Sequence, residues 1–205
     1  AYEMESRDWS SDVCSSDLLK GDKICFIAED DMVKTTLFNI LMGKEKYDKG
    51  TIEWGKTINP GYLPQDNNEF FNTDKNIMEW IGQFYDIKDE TILRGFLGRM
   101  LFSGEDVFKK VNVLSGGEKA RCMLSKMMLE EPNFLILDEP TNHLDLESIT
   151  SLNKGMVNFK GELFFTSRDY ELNSTVANRI IEIKSDGTII DRTIPYEEYI
   201  SNKEN

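Results

Sequence analysis

Histidine and cysteine are scarce in this 205-residue chain, which contains one His and three Cys. Such an inventory excludes a metal cluster built from His and Cys side chains. It also implies no disulfide framework. Cys25 and Cys122 each lie inside an apolar run, where we expect a small buried thiol.

Long apolar runs are missing as well. The sequence has no stretch of about 18 apolar residues and no secretory signal, so we expect a soluble cytoplasmic protein without membrane contact. Basic residues are the minority, because 24 Lys and Arg face 37 Asp and Glu for a net charge of −13. Residues 1–18 hold five acids and one Arg, or −4, which leaves −9 for the rest. An acidic surface binds a phosphate backbone poorly, so we expect no direct DNA binding and assign any RNA contact to other segments of a longer polypeptide.

The first 18 residues follow neither a strand period nor a helix period. Residues 9–18 resemble the conceptual translation of a sequencing adapter, and we exclude residues 1–18 from fold reasoning as an assembly scar. The alternative is an ordinary disordered N-terminus. The remaining 187 residues, 205 less 18, suffice for one domain with a sizeable core and are too few for two.

Strands and helices alternate along residues 19–205, which predicts a layered α/β domain. Strands are predicted at residues 23–28, 51–54, 61–63, 134–137, 163–166 and 179–183. Helices are predicted at residues 34–42, ended by Gly43, and from about Leu146 onwards. Helical spacing of apolar residues predicts a helix-rich insertion at about residues 76–128. Asp186-Gly187 is a good hairpin turn.

The strongest chemical signal lies at residues 135–145. An apolar strand that ends in Asp138 and Glu139 and then turns at Pro140 is how a parallel sheet delivers one carboxylate to a metal and another to water. We predict that Asp138 holds Mg²⁺, through water, and that Glu139 polarises the attacking water as a general base. This arrangement indicates a nucleotide hydrolase.

A second element that faces phosphate begins about twenty residues earlier. Ser115, Gly116, Gly117 and Glu118 open a helix that is predicted to run to about residue 129, with Ser115 as its N-cap. Paired glycines let backbone amides approach a γ-phosphate, and the helix dipole favours that negative charge. A simple capping box, which also reads Ser-x-x-Glu, does not account for the two glycines.

A degenerate phosphate loop is predicted at Ala28, Glu29, Asp30, Asp31, Met32, Val33, Lys34, Thr35 and Thr36. The three positions where glycine is usual hold Ala28, Asp31 and Val33. Lys34 can still reach the β- and γ-phosphates and Thr35 can ligate Mg²⁺, at the positive end of a helix expected to begin near Lys34. The three acids oppose this, since a carboxylate roughly 8 Å from a phosphate costs on the order of 2 kcal/mol. The alternative is a strand, an acidic turn and a helix start without a ligand.

The order and spacing of these elements resemble those of ABC-type ATPases. The segment 142–145, Asn-His-Leu-Asp, looks like the D-loop of the ABC-F proteins, which act on ribosomes. The resemblance covers residues 19–205 and implies the C-terminal nucleotide-binding domain of such a protein, with a P-loop NTPase fold of the ABC type and a helical signature subdomain. It also implies ATP and Mg²⁺ as cofactors, ATP hydrolysis, and two partners, namely a second ABC domain upstream in the native chain and the ribosome.

Individual residues take their roles from this resemblance. Gln65 matches the Q-loop, whose side-chain carbonyl joins the Mg²⁺ shell, and residues 115–118 match the signature that completes the site of the opposing domain. This chain would therefore contain two half-sites and no complete one. His143 takes an interface and packing role. Arg168 stands where a catalytic switch histidine is usual, and because Arg only donates and stays cationic, turnover would be slow.

Several alternatives remain at this point. Val33 and Arg168 also fit a nucleotide-binding interaction module without turnover, in which Arg168 faces solvent. An ATPase subunit of a membrane transporter is a second rival, against which Asn142 and His143 argue. ATPases of DNA repair and chromosomes would need a long coiled coil between Gln65 and Ser115, where only 49 residues lie. The resemblance also implies that the native N-terminal part of the domain, with its adenine-stacking aromatic residue, is missing; Tyr2 and Trp9 lie at roughly that distance, but neither is assigned.

Overall fold

The computed structural model describes residues 18–84, 89–100, 102 and 104–204. Within these residues six strands form one sheet: β1 Lys23–Ala28, β2 Pro60–Leu63, β3 Phe134–Asp138, β4 Glu162–Thr166, β5 Arg179–Ile183 and β6 Ile189–Arg192. Their order across the sheet is β2-β3-β4-β1-β5-β6. All neighbours pair in parallel except β5 and β6, which form an antiparallel hairpin. A mostly parallel sheet of this kind requires helices on both faces.

The described helices are α1 Asp31–Leu41, α2 Ile77–Gly82, α3 Glu90–Arg99, α4 Gly116–Glu130, α5 Leu146–Asn158, α6 Tyr170–Val176 and α7 Tyr196–Glu204. Short 3-10 turns lie at Asn68–Phe71, Gly104–Phe108 and Val111–Val113. Buried residues of α1 share one apolar cluster with the sheet, and buried residues of α2 to α7 share the other. The sheet is therefore covered on both faces.

The strands contribute side chains to both clusters, because successive side chains of a strand point to opposite faces of the sheet. Phe134 and Ile136 of β3 pack with Phe38 of α1, while Leu137 packs in the larger cluster with the other helices. This alternation within one unbroken apolar run explains why the sequence showed no polar face in the central strands. The α/β prediction is confirmed.

The helix-rich segment is confirmed within its described bounds, since α2, α3 and α4 all lie between residues 76 and 130. Trp80 is its largest fully buried side chain, with no exposed surface. The indole stacks on Phe71 with ring centroids 4.9 Å apart, meets Phe84 edge-on at 4.9 Å, and donates Nε1–H to the Phe70 carbonyl at 2.7 Å. That the helix-rich segment is a separate insertion in the domain remains a prediction.

Two sequence-based predictions of secondary structure are wrong. Residues 51–54 form no strand, because Trp54 instead lies edge-on to Phe134 at 5.2 Å and donates Nε1–H to the carbonyl of Leu41 at 3.1 Å. Helix α1 begins at Asp31 rather than near Lys34, because the Asp30 carboxylate caps it by accepting the backbone N–H of Met32 at 2.9 Å.

The N-terminal exclusion also needs one correction. Residues 1–17 lie outside the described residues, whereas Leu18 is described and only 7% exposed, and it packs in the apolar cluster beneath α1. The backbone N–H of Leu19 then donates to the Asp22 carboxylate at 3.0 Å. A segment without a role in the fold must therefore end before Leu18. Helices α6 and α7 had no counterpart in the sequence-based prediction.

No helix among the described residues is long and apolar enough to cross a membrane.

Candidate functional site

The candidate site lies where three neighbouring parallel strands end. Strands β3, β4 and β1 are adjacent, and their carboxyl ends lead to Glu139, to Ser167 and Arg168, and to α1. In parallel α/β sheets this edge is where ligands bind. Residues that are more than 100 positions apart in the sequence therefore meet here, as Thr35 and Asp138 do.

Asp138 is the centre of the cluster, and it is only 1% exposed. Thr35 Oγ1–H donates to its Oδ2 at 2.7 Å, and Thr166 Oγ1–H donates to its Oδ1 at 2.8 Å. Thr35 and Asp138 therefore lie in direct contact, and their role as Mg²⁺ ligands stays a prediction. Thr166 was missed by sequence reasoning, because only the β3–β4 register places it directly opposite Asp138.

Glu139 follows in a left-handed backbone conformation, with φ of 49°, which non-glycine residues rarely adopt. Its backbone N–H donates to Thr166 Oγ1 at 2.9 Å, which holds the turn. The backbone N–H of Arg168 donates to the side-chain Oε2 at 3.3 Å. The other oxygen, Oε1, lies 3.6 Å from Lys34 Nζ, and within the described residues no donor reaches it with a hydrogen bond. One carboxylate oxygen is thus fixed, and the second is buried and free to accept a proton.

The Glu139 side chain is also buried, with the residue only 4% exposed. Burial raises the pKa of this carboxyl above the usual glutamate range, and the nearby Lys34 ammonium opposes that shift. A raised pKa brings a carboxylate closer to the basicity that proton abstraction near neutral pH requires. The environment therefore suits the predicted role of a general base.

Lys34 lies between two carboxylates and is 6% exposed. Its Nζ is 2.7 Å from Asp31 Oδ1 and 3.6 Å from Glu139 Oε1. The Asp31 carboxylate also forms an ion pair with the Arg168 guanidinium. Hydrogen bonds from Lys34 and then from Arg168 lower the pKa of Asp31, so it remains ionised. Sequence reasoning had identified Asp31 only as a repulsive acid and not as a partner of both cations.

The predicted phosphate loop takes an unexpected form. Residue Ala28 ends β1, Glu29 and Asp30 are exposed, and the chain then enters α1 three residues earlier than predicted. The Met32 N–H donates to the Asp30 side chain at 2.9 Å, and the Val33 N–H donates to the Asp30 carbonyl at 3.2 Å. The segment between β1 and α1 contains no glycine. An additional turn of α1 therefore stands where a glycine-rich phosphate loop would present free backbone amides.

Arg168 contributes to the site in two separate ways. Its backbone N–H binds Glu139, whereas its side chain is 75% exposed and its guanidinium pairs with Asp31. That ion pair raises the pKa of Arg168 further, so it stays cationic. The side chain is thus largely exposed, as the interaction-module alternative expects, and it also pairs with Asp31. Its role at the switch position stays a prediction.

The residues that match the Q-loop and the signature also lie near the edge of the sheet that carries Asp138 and Glu139. A cavity of about 300 Å³ is lined by Gln65, Gly116, Asp138, Glu139 and His143, among others. Gln65 is exposed at its mouth, and its role in a Mg²⁺ shell stays a prediction. The cavity connects the signature helix α4 with the acidic edge of the sheet.

The signature glycines pack against the D-loop. A Cβ on Gly117 would lie 2.5 Å from the His143 carbonyl oxygen, and one on Gly116 would lie 3.0 Å from the imidazole. Only glycine permits this approach. His143 itself has a left-handed φ of 66°, in keeping with a packing role. Ser115 is the N-cap of α4, and a full capping box with Glu118 is present.

The side chains fit a magnesium nucleotide on their chemistry. Thr35 and Asp138 present a hydroxyl and a carboxylate oxygen to one point, which are ligands that Mg²⁺ accepts, and Lys34 supplies a buried positive charge beside them. Among the described residues no cluster of three or more His, Cys, Asp or Glu side chains could hold a metal. Mg²⁺ that is bound together with phosphates usually takes only one or two carboxylates from the protein.

A mostly parallel sheet with helices on both faces, and with Lys-Thr and Asp-Glu at its edge, defines a P-loop NTPase of the ABC ATPase type. Residues 15–142 match the family described as ABC transporter, which is more than half of the chain, and the chain belongs to this family. It is an ABC ATPase nucleotide-binding domain. Domains of this family generally bind ATP with Mg²⁺ and hydrolyse it.

Two named proteins are similar in sequence to this chain. The chain is 55% identical over 184 residues to the "Uncharacterized ABC transporter ATP-binding protein YkpA" of Bacillus subtilis, covering 88% of this chain and 34% of that protein. It is 34% identical over 182 residues to "ABC transporter F family member 5" of Arabidopsis thaliana, covering 88% and 26%. The chain thus spans about a third or less of the length of these curated relatives.

Among solved structures, the fold is similar to a chain in the complex of the archaeal ribosomal stalk protein aP1 with the archaeal ribosome recycling factor aABCE1. The TM-score is 0.70 at 21% identity, covering 90% of this chain and 37% of that one. At this identity the likeness concerns the fold alone.

Proposed function

We propose that this chain is the C-terminal nucleotide-binding domain of an ABC-F protein, a cytoplasmic factor that binds ribosomes. In this proposal a second, upstream ABC domain of the same native chain closes on this one around Mg-ATP, and hydrolysis reopens the pair and releases the ribosome. Two observations support it: the F family relative and the Asn142-His143 pair of the D-loop.

The observation that carries the proposal is the cluster of buried Lys34, Asp138 and Glu139 with half-buried Thr35 at the sheet edge. When bound, Mg²⁺ supplies positive charge that offsets the phosphate oxygens. Thr35 and Asp138 would supply oxygen ligands to the metal, and Lys34 would supply its ammonium to the phosphates. Glu139 keeps Oε1 free to orient water and accept its proton, while Oε2 is anchored on the Arg168 backbone.

A second candidate function is a nucleotide-binding interaction module with little or no turnover. Two observations favour it: Lys34 is already paired with Asp31, and Arg168 replaces the usual switch histidine. The two candidates differ in hydrolysis and not in binding. Single-turnover hydrolysis in the full-length protein separates them.

Trapping on ribosomes tests the proposed function. The full-length natural protein would carry Glu139→Gln together with the same change at the matching glutamate of its upstream domain. Glutamine keeps the size and hydrogen-bonding reach of the side chain but takes no proton, so the closed state and its bound ribosome should accumulate. We expect ATP-dependent co-sedimentation of this variant with ribosomes well above the wild-type level.

Two controls make the result specific. Adding Lys34→Ala and its upstream counterpart should abolish the pelleting, because nucleotide no longer holds the domains closed. Glu147→Gln, an exposed acid at the start of α5, should leave wild-type behaviour unchanged. A trapped variant that binds ATP yet pellets no more than wild type would refute the ribosome-factor proposal and favour the interaction module or a transporter subunit.

A further inference from the structure

Asp31 holds two cations at once. Its Oδ1 is 2.7 Å from Lys34 Nζ, and its Oδ2 forms an ion pair with the guanidinium of Arg168. Both cations stand at positions where ABC-type ATPases usually contact the phosphates. The carboxylate of Asp31 therefore provides the site with an anion of its own.

An internal anion of this kind competes with nucleotide. A phosphate oxygen and the Asp31 carboxylate compete for the same ammonium of Lys34. Both are negatively charged, so they repel each other when both lie next to it. Whether a phosphate displaces Asp31 from Lys34 depends on whether Asp31 has a second cation with which to pair. Arg168 supplies that cation, and its side chain is long and 75% exposed, so it can follow the carboxylate away from Lys34.

We propose that Asp31 and Arg168 are one coupled pair that sets nucleotide affinity, with Asp31 occupying Lys34 in the resting site and Arg168 drawing Asp31 away when phosphates bind. In this account, which rests on the proposed binding of nucleotide at Lys34, two of the departures from the usual family pattern, Asp31 and Arg168, compensate each other. Arg168 is then a positioning residue that acts through Asp31, and its side chain does not replace the switch histidine at the γ-phosphate.

This inference differs from a phosphate-sensing role in two measurable ways. A sensor of the γ-phosphate affects ATP and leaves ADP unaffected, and it does so whatever residue stands at position 31. A partner of Asp31 affects ATP and ADP alike, because Lys34 is needed for both. Its effect also disappears when Asp31 carries no charge.

A double-mutant cycle on the full chain tests the pair. Affinities of Mg-ATP and Mg-ADP would be measured by isothermal titration for wild type, Asp31→Asn, Arg168→Ala and the double variant. We expect Arg168→Ala to weaken both nucleotides about fivefold, and Asp31→Asn to tighten both. In the Asp31→Asn background, Arg168→Ala should change affinity by less than about twofold.

Arg94→Ala is the matched control, because Arg94 forms a similar exposed pair with Glu90 at 2.7 Å, away from the site. It should leave both affinities unchanged. Equal weakening by Arg168→Ala in both backgrounds, or weakening of ATP alone, would overturn the inference while leaving nucleotide binding at Lys34 intact. Absence of nucleotide binding in every variant, with native circular dichroism spectra, would instead refute the proposed function and the inference with it.

Discussion

Glu139→Gln is expected to slow ATP hydrolysis by about 100- to 10,000-fold in the full-length protein, the range typical of a lost general base. Glutamine can still accept the Arg168 N–H that now binds Oε2 at 3.3 Å. It cannot accept a proton at the position of Oε1, the oxygen that no donor reaches with a hydrogen bond and that lies 3.6 Å from Lys34 Nζ. Nucleotide affinity should change little, because Lys34, Thr35 and Asp138 are untouched. Single-turnover hydrolysis and equilibrium binding are the measurements.

The pH dependence gives a second check on the same residue. Burial raises the pKa of Glu139, and only its deprotonated form can accept a proton. The wild-type rate should therefore be low at acidic pH and rise as pH passes through this raised pKa. In Glu139→Gln that rise should be lost, whereas Glu147→Gln should retain it. Turnover within about threefold of wild type in Glu139→Gln would show that another group takes the proton.

Trp80→Ala should cost about 3–5 kcal/mol of the free energy of unfolding, a large part of the stability of an average domain. The indole has no exposed surface, and it lies between Phe71 and Phe84. Its removal leaves a cavity and also deprives the Phe70 carbonyl of its Nε1–H donor. Urea unfolding, followed by circular dichroism, measures the loss.

Trp54 is the matched control for this change. It also donates Nε1–H to a carbonyl and meets a phenylalanine edge-on, but it is 37% exposed. Its substitution by alanine should therefore cost less than half as much as Trp80→Ala, since solvent can fill part of the space. Similar losses for the two variants would show that the helical segment around Trp80 is not the tightly packed unit described above.

Sequence patterns predicted those parts of the sheet and its edge that depend on residues close together in the sequence. Strand β1 and the strand at Arg179–Ile183 lie where apolar runs are bounded by polar turns, and both were predicted to the residue. Asp138 and Glu139 were placed correctly at a strand end because the apolar run stops there. The N-cap role of Ser115 followed from its capping box with Glu118. These features need only near neighbours in sequence.

Tertiary partners were beyond such reasoning. Asp31 looked like a destabilising acid. Its pair with Lys34 is local and was missed because α1 was expected to begin near Lys34, whereas Arg168 became visible only once β1 and β4 placed it beside α1. Thr166 likewise acquires meaning from its register opposite Asp138. The missed start of α1 has a local cause, since capping by Asp30 outweighed the expectation of a loop. Trp54 was read as a strand residue because apolar alternation does not distinguish a strand from a segment packed across a sheet.

The central claim is that Lys34, Thr35, Asp138 and Glu139 form one magnesium-nucleotide site despite the absence of glycines in the loop. The most direct measurement is the affinity of ATP with Mg²⁺ and with EDTA, in wild type and in Thr35→Val, which removes the hydroxyl that meets Asp138 at 2.7 Å. Thr35→Ser, which keeps the hydroxyl, is the control. We predict that Mg²⁺ tightens ATP binding about tenfold in wild type and Thr35→Ser but not in Thr35→Val. Equal affinities with Mg²⁺ and EDTA in wild type, or an undiminished Mg²⁺ effect in Thr35→Val, would contradict the claim.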